Sequence, residues 1–256
     1  MLPATVAIRF VKPLREGGSL PAIMECDDGE LRVVKFRSAG QGPRALIAEV
    51  IAGELGRRLG LRVPALATVA LDAVIGRAEP DPEIRDLLVA SAGTNLGMAY
   101  LAGAVGFDAA ARERVAPALA SSVVWFDAYV TNVDRTARNA NMLMWHRKLW
   151  LIDHGASLYF HHAWSDMDQR IKDPFRLIRE HILLSFASAL ETVDDAMTAS
   201  ITKDVIKGIV DLVPDDWMKD NSPFSTTAEN RQAYVDYLTR RLDEPRHFVE
   251  EAIRAR

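Results

Sequence analysis

Cysteine is nearly absent from this 256-residue chain: Cys26 is the single one, so no intramolecular disulfide can form. One lone thiol accords with a reducing compartment. Long apolar runs are also missing. None approaches the roughly 18–20 residues that a membrane helix requires, so no membrane partner is expected. The opening stretch MLPATVAIRFVKPLREGG has no extended apolar centre and no small-residue cleavage site. No signal peptide is therefore expected, and the compartment read from the sequence is the cytoplasm. Charge of one sign is not in excess. Thirty-one Lys and Arg against 35 Asp and Glu leave a formal net charge of −4, which excludes broad electrostatic attraction to nucleic acid or an anionic membrane. There is no internal repeat and no low-complexity tract. The length suffices for one large domain or for two lobes around a cleft.

What the chain does have is concentrated between Phe126 and Ser157. Two apolar runs, Asn141–Trp145 and Leu149–Ile152, are separated by His146-Arg147-Lys148. That pattern predicts a β-hairpin. Asp134 and Asn139 precede it, and Asp153-His154-Gly155 follows it. A hairpin returns its two ends to one place, so Asn139 and Asp153 can face a single ion. Mg²⁺ prefers oxygen ligands and takes only one or two carboxylates from a protein, with phosphate oxygens and water completing its shell. Asp134 stays free to accept a proton from an attacking hydroxyl. An Asp and an Asn five positions apart would alone signify only turns. Joined to a hairpin and an Asp-x-Gly, they match the arrangement of protein kinases and their relatives.

These residues resemble the HipA-like serine/threonine kinase family, and more loosely the phosphoinositide kinases, which share an Asp-Arg-His-x-x-Asn loop. Here the loop reads Asp134-Arg135-Thr136-Ala137-Arg138-Asn139, with Thr136 in place of the His, and His154 stands where most protein kinases have Phe. The resemblance rests on Gly17–Leu20, Val34–Phe36, Glu49–Pro64 and Asp127–Gly155. It implies ATP and Mg²⁺ as cofactors, with Asp134 as the catalytic base and Asn139 and Asp153 as metal ligands. It further implies transfer of the γ-phosphoryl group to a hydroxyl, a Ser or Thr of a protein. An antitoxin-type partner is not expected, because the Gly loop comes almost at once. No Ala-Pro-Glu motif follows Asp153, so acceptor docking is expected to differ from that of ordinary protein kinases.

The first third reads as strands: Thr5–Val11, Ala22–Met24 and Leu31–Phe36. Gly17-Gly18-Ser19 lies between the first two. By itself it predicts a plain turn; before a lysine-bearing strand it can cover phosphates with backbone N–H groups. Ser19 would then lie within reach of a γ-phosphate and be open to self-phosphorylation. In the last strand Leu31, Val33 and Lys35 share one face, Val34 and Phe36 the other. Lys35 is either a cation snorkelling to water or, as the resemblance implies, the lysine that holds the α/β-phosphates. A helix is predicted over Arg44–Leu59, ended by Gly60. Helical stepping sets Glu54 within its apolar arc and Glu49 just beside it; the resemblance favours Glu49 as the partner of Lys35. Pro64–Leu71 reads as a strand. Gly93–Leu101 resembles the segment that clasps adenine, with Met98 and Tyr100 as contacts.

A helix is expected to open at Phe107-Asp108 and run through Ala111–Leu119, and an apolar pattern continues over Ser121–Val130. Asp127 reads as structural. Adjacent His161 and His162 lack a second ligand pair at zinc spacing, so they read as an aromatic segment. Apolar stripes around Ile178, Ile206 and Leu238 are core-facing helices, and Thr226-x-x-Glu229 is a capping-box signal. The expectation is an α+β, bilobal, protein-kinase-like fold. Its strand-rich N-lobe would span 1–101 and its helical C-lobe 102–256. Two other functions fit the same residues: a nucleotide-binding pseudokinase scaffold, and a small-molecule or lipid kinase.

Overall fold

Among the described residues, alternating apolar positions in the N-terminal part form five strands: β1 (Ala4–Pro13), β2 (Ala22–Cys26), β3 (Leu31–Lys35), β4 (Leu66–Leu71) and β5 (Gly93–Ala99). They close into a barrel in the order β1-β2-β3-β5-β4, with β1 parallel to β4 and every other pair antiparallel. The computed structural model describes residues 1–15, 20–77, 79–109, 115–219, 222–243 and 245–256. Gly17, Gly18 and Ser19 fall outside the described residues.

The period-two reading of β3 holds. Val34 and Phe36 turn into the barrel with Met24, Cys26 and Val69, while Val33 packs against the larger core on the opposite face. Opposite Val34 stands Gly97. A Cβ there would lie 2.5 Å from Val69 Cγ2 and 2.9 Å from Arg32 Cδ, so only glycine lets the strands approach this closely.

Helix α1 (Pro43–Arg58) starts with Pro at its first position and ends in a left-handed Gly60, φ 77°. The Leu61 N–H donates to the Gly56 carbonyl and the Gly60 N–H to Arg57, a Schellman stop. Its buried residues include Leu46 to Gly53 without a break, so it is a central strut rather than a surface helix.

Helices α2 (Ala73–Arg77) and α3 (Pro82–Ala90) lie beside the barrel. Among the described residues the remainder carries, beside one small sheet, the helices α4 (Pro117–Tyr129), α5 (Met167–Ile171), α6 (Leu190–Ala199), α7 (Lys203–Val210), α8 (Asp215–Lys219), α9 (Thr227–Arg241) and α10 (His247–Ala255). The sheet joins β6 (Val105–Gly106) to the hairpin strands β7 (Met142–Trp145) and β8 (Lys148–Leu151). Of the helix expected from Phe107 through Leu119, residues 110–114 fall outside the described residues; Phe107–Ala109 and Val115–Ala116 are not helical, and α4 starts at Pro117 with Ala116 as its cap residue. Proline suits the first helical turn, where its missing N–H is not needed. Thr226 and Glu229 form the expected capping box on α9. No helix among the described residues is long and apolar enough to cross a membrane.

α4 is buried almost throughout, and its last carbonyls need donors. Arg241 supplies them. It is 2% exposed. Nε donates to Tyr129 O (3.0 Å), Nη2 to Ala128 O (3.1 Å), and Nη1 to Ile171 O and Asp173 O (both 2.9 Å). The cation also meets the negative end of the helix dipole. Arg241→Met should cost at least about 3 kcal/mol in urea unfolding, because several buried carbonyls lose their donors together. A near-neutral result would show that the α4 terminus does not depend on this fork.

Candidate active site

The two-residue turn His146-Arg147 has positive φ at both positions, 47° and 59°. That is the type I′ geometry that matches strand twist. Lys148 therefore belongs to β8, opposite Trp145, and not to the turn. Met142 pairs with Leu151, and the Ile152 N–H reaches the Asn141 carbonyl at 3.0 Å. The ends of the hairpin are thus side by side. Asn141 (φ 48°) and Asp153 (φ 56°) both take the left-handed conformation, which short polar side chains tolerate best.

A buried carboxylate fixes the loop between α4 and β7. Asp127 is fully buried. Its Oδ2 accepts from Arg135 Nε (2.6 Å) and faces His181 Nε2 (2.9 Å), and its Oδ1 accepts from Asn132 Nδ2 (2.9 Å). His181 Nδ1 accepts the Leu183 N–H at 3.0 Å, so Nε2 is the protonated nitrogen. Arg135 Nη1 donates to the Asn141 carbonyl and lies 3.4 Å from the Ile152 carbonyl, at the two ends of the hairpin. Asn132 Oδ1 accepts the Asp134 N–H at 3.1 Å. Burial works against the Asp127 charge. Arg135 first, then His181, outweigh it and hold the carboxyl well below its ordinary range.

Asp134 accepts two amide donors at Oδ2, from Asn139 Nδ2 (2.7 Å) and Asn141 Nδ2 (3.2 Å). Among the described residues neither Asp134 Oδ1 nor the Asn139 amide oxygen takes part in a further hydrogen bond. Lys35 bridges two acids. Nζ donates to Glu49 Oε1 and, at 2.6 Å, to Asp153 Oδ1, a residue 118 positions away. Burial disfavours the ammonium, but the Glu49 and Asp153 carboxylates more than offset this and raise its pKa. Burial equally disfavours charge on Glu49, and Lys35 beside it holds that carboxyl well below the usual value.

The expected strand–helix pair is therefore Lys35–Glu49. Glu54 lies 3.5 Å from Arg57 instead. Because α1 is buried nearly all round, its apolar arc could not separate the two glutamates. Gly155 packs on this pair, where a Cβ would come 3.3 Å from Glu49 Oε1. His154 is buried against the Phe126 ring, with Nδ1 3.6 Å from Glu49 Oε2.

Lys35, Glu49, Asp134, Asn139 and Asp153 all line one cavity of about 300 Å³. Met98 and Tyr100 do not line it. Met98 is core, 5% exposed, on a strand bonded on both sides, and the Tyr100 N–H donates to the Leu31 carbonyl at 3.1 Å. The backbone groups of Met98 and the Tyr100 N–H are thus already paired. His161 is buried among Tyr234, Phe160 and His162 rings, and no cluster of three or more His, Cys, Asp or Glu suited to a metal exists among the described residues. The anchoring role of Asp127, Arg135 and His181 was not legible in spacing, since His181 lies 54 positions from its partner.

Carboxylates with depressed pKa stabilise the fold fully above their ordinary range near pH 4, and that stability is lost as pH falls below it. Glu49 and Asp127 should therefore make unfolding free energy drop between about pH 5 and about pH 3. Asp127→Asn should lose about 3–5 kcal/mol at neutral pH, by stranding Arg135, and show a shallower acid slope. Urea titrations across that range check both; an unchanged slope would contradict the assignment.

Comparison with curated proteins finds no match. Among solved structures the chain is similar to the Helicobacter pylori proinflammatory kinase CtkA, at 12% identity and TM-score 0.58, with 99% of each chain covered. It is also similar to the Golgi casein kinase with Mn/ADP bound, at 10% identity and TM-score 0.51, covering 97% of this chain and 74% of that one. At such identities the likeness is one of fold. The sequence itself matches the HipA-like kinase family over residues 7–250, and with that span the chain belongs to the HipA-like kinases.

Proposed function

We propose that this chain is an ATP- and Mg²⁺-dependent kinase that transfers the γ-phosphoryl group to a hydroxyl, a serine or threonine of a protein. The observation that carries this reading is the convergence of Lys35, Glu49, Asp134, Asn139 and Asp153 on one cavity. Their chemistry fits the cofactors. Lys35 contributes +1, and Glu49, Asp134 and Asp153 contribute −3 together, so the ionised residues sum to −2. A polyphosphate would be repelled by such a lining unless a cation accompanied it. Asp153 and the Asn139 amide oxygen are a hard-oxygen pair of the kind that holds Mg²⁺ together with phosphate. The Golgi casein kinase, of similar fold, carries Mn and ADP, which accords with a nucleotide and divalent metal here.

In this mechanism Lys35, kept charged by Glu49, holds phosphate oxygens. Asp134 orients the acceptor hydroxyl and takes its proton at Oδ1, while the amides of Asn139 and Asn141 fix the other oxygen. Asp153 and Asn139 would hold Mg²⁺, which when bound neutralises phosphate charge. Positioning and charge neutralisation supply most of the acceleration.

Mg-ATP at about 100 times its Kd should stabilise the chain by about 2.7 kcal/mol, seen as a raised thermal midpoint. Lys35→Ala and Asp153→Asn should lose most of that shift. Asp134→Asn should keep it yet slow transfer of labelled phosphoryl by at least about a hundredfold. A normal shift and normal turnover in Asp153→Asn would defeat the reading.

A further inference from the structure

A second and larger concavity, about 850 Å³, opens beside the first. Val133 and Tyr159 line both. Val133 is the chain neighbour of Asp134, so the groove begins one residue from the group assigned to take the hydroxyl proton. Its charge is opposite to that of the nucleotide cavity. Arg170, Lys172 and Arg176 contribute +3 and Asp173 −1, a sum of +2, on a chain whose net charge is −4. Lys172 and Arg176 are exposed. Asp173 Oδ1 accepts the Phe175 N–H at 2.6 Å, and Asp168 is bonded to Arg240 at 2.5 Å.

The groove also has an apolar part. Tyr159 and Leu177, 55% and 48% exposed, stand on its wall. These two side chains offer an incoming chain apolar surface to cover on the same wall as the cations. The backbone holding the cations is fixed. Phe175 is buried in the left-handed region, φ 55°, with Asp173 closing the turn before it. Arg170 Nε is tied to the Ser165 carbonyl at 2.8 Å.

From these features we infer that this groove is the acceptor site and that it takes an acidic peptide segment. Carboxylates flanking the target hydroxyl would meet Lys172 and Arg176, and an apolar side chain would rest on Tyr159 and Leu177. Clustered basic side chains read acidic motifs in this way, and complementary charge sets which partner docks. The volume, near the upper end of the roughly 300–1,000 Å³ of ligand pockets, has room for several residues rather than one side chain. This inference rests on the kinase reading above.

Binding and transfer separate the two. Fluorescent serine-centred peptides, one flanked by glutamates and one by lysines, are titrated into the full chain and followed by anisotropy. The glutamate peptide should bind at least about tenfold more tightly. In the double variant Lys172→Glu/Arg176→Glu that ratio should fall by at least about tenfold, with the thermal midpoint in the range of ordinary surface substitutions. Gln169→Glu, a milder change on the same wall, should move the ratio in the same direction if the double variant is poorly folded. Equal affinity for the two peptides, preference for the lysine peptide, or an unaltered ratio in the variants would overturn the inference. So would displacement of the glutamate peptide by anionic phosphatidylserine vesicles, which would mark a membrane-facing surface. Tight binding of the glutamate peptide without phosphoryl transfer to any peptide would count against the kinase reading and leave the acidic-peptide groove supported.

Discussion

An ammonium group taken out of water must have negative charge beside it, and Lys35 draws its two carboxylates from distant parts of the chain. Glu49 comes from the central helix α1 and Asp153 from the exit of the β7–β8 hairpin. Three elements with no sequence proximity are thereby held at one point: a barrel strand, a buried helix and a hairpin end. Buried ion pairs of this kind are weak evidence for stability. Their consequence here is register. A one-residue slip of β3 would send Lys35 into the barrel and Val34 toward the acids, so the pairing Lys35↔Leu96 and the site geometry require each other.

A second buried charge does the same work for the loop that carries Asp134. Asp127, at the end of α4, gathers Asn132, Arg135 and His181, and Arg135 passes the constraint on to both ends of the hairpin. Arg241 satisfies the α4 carbonyls on the other side of the same helix end. The polar atoms of the cavity are therefore set by residues that do not line it. Asp134 can be half-buried and Asn139 exposed and still hold their positions, because the backbone beneath them is fixed by interior hydrogen bonds. Such support around a polar site is what keeps its geometry within catalytic tolerance.

Much of this was legible in the residues. The apolar runs Asn141–Trp145 and Leu149–Ile152, separated by His146-Arg147-Lys148, predict the hairpin, and its ends carry Asn139 and Asp153 to one cavity. The alternation of Val33, Val34, Lys35 and Phe36 gave the two faces of β3. Other parts were not legible, for definite reasons. Glu49 and Glu54 could not be separated by periodicity, since α1 is buried on almost every side and offers no polar face to exclude. Met98 looked like a free strand edge, but β5 lies between β3 and β4, and sequence does not show strand order. The helix expected to open at Phe107 is absent over Phe107–Ala109, where apolar content gives no sign that the start of α4 is set by Pro117. Asp127, Arg135, His181 and Arg241 act over long separations, and nothing local distinguishes a buried charge with a partner from a solvated one.

The central claim is that the cavity bounded by Lys35 and Asp153 holds a metal–nucleotide against Asp134. A crystal structure of the chain with Mg²⁺ and a non-hydrolysable ATP analogue measures this most directly. The account predicts Mg²⁺ at about 2.0–2.1 Å from oxygens of Asp153 and Asn139, with Lys35 Nζ in hydrogen-bond contact with a phosphate oxygen. Density for the nucleotide elsewhere, or a metal that touches neither Asp153 nor Asn139, would contradict it.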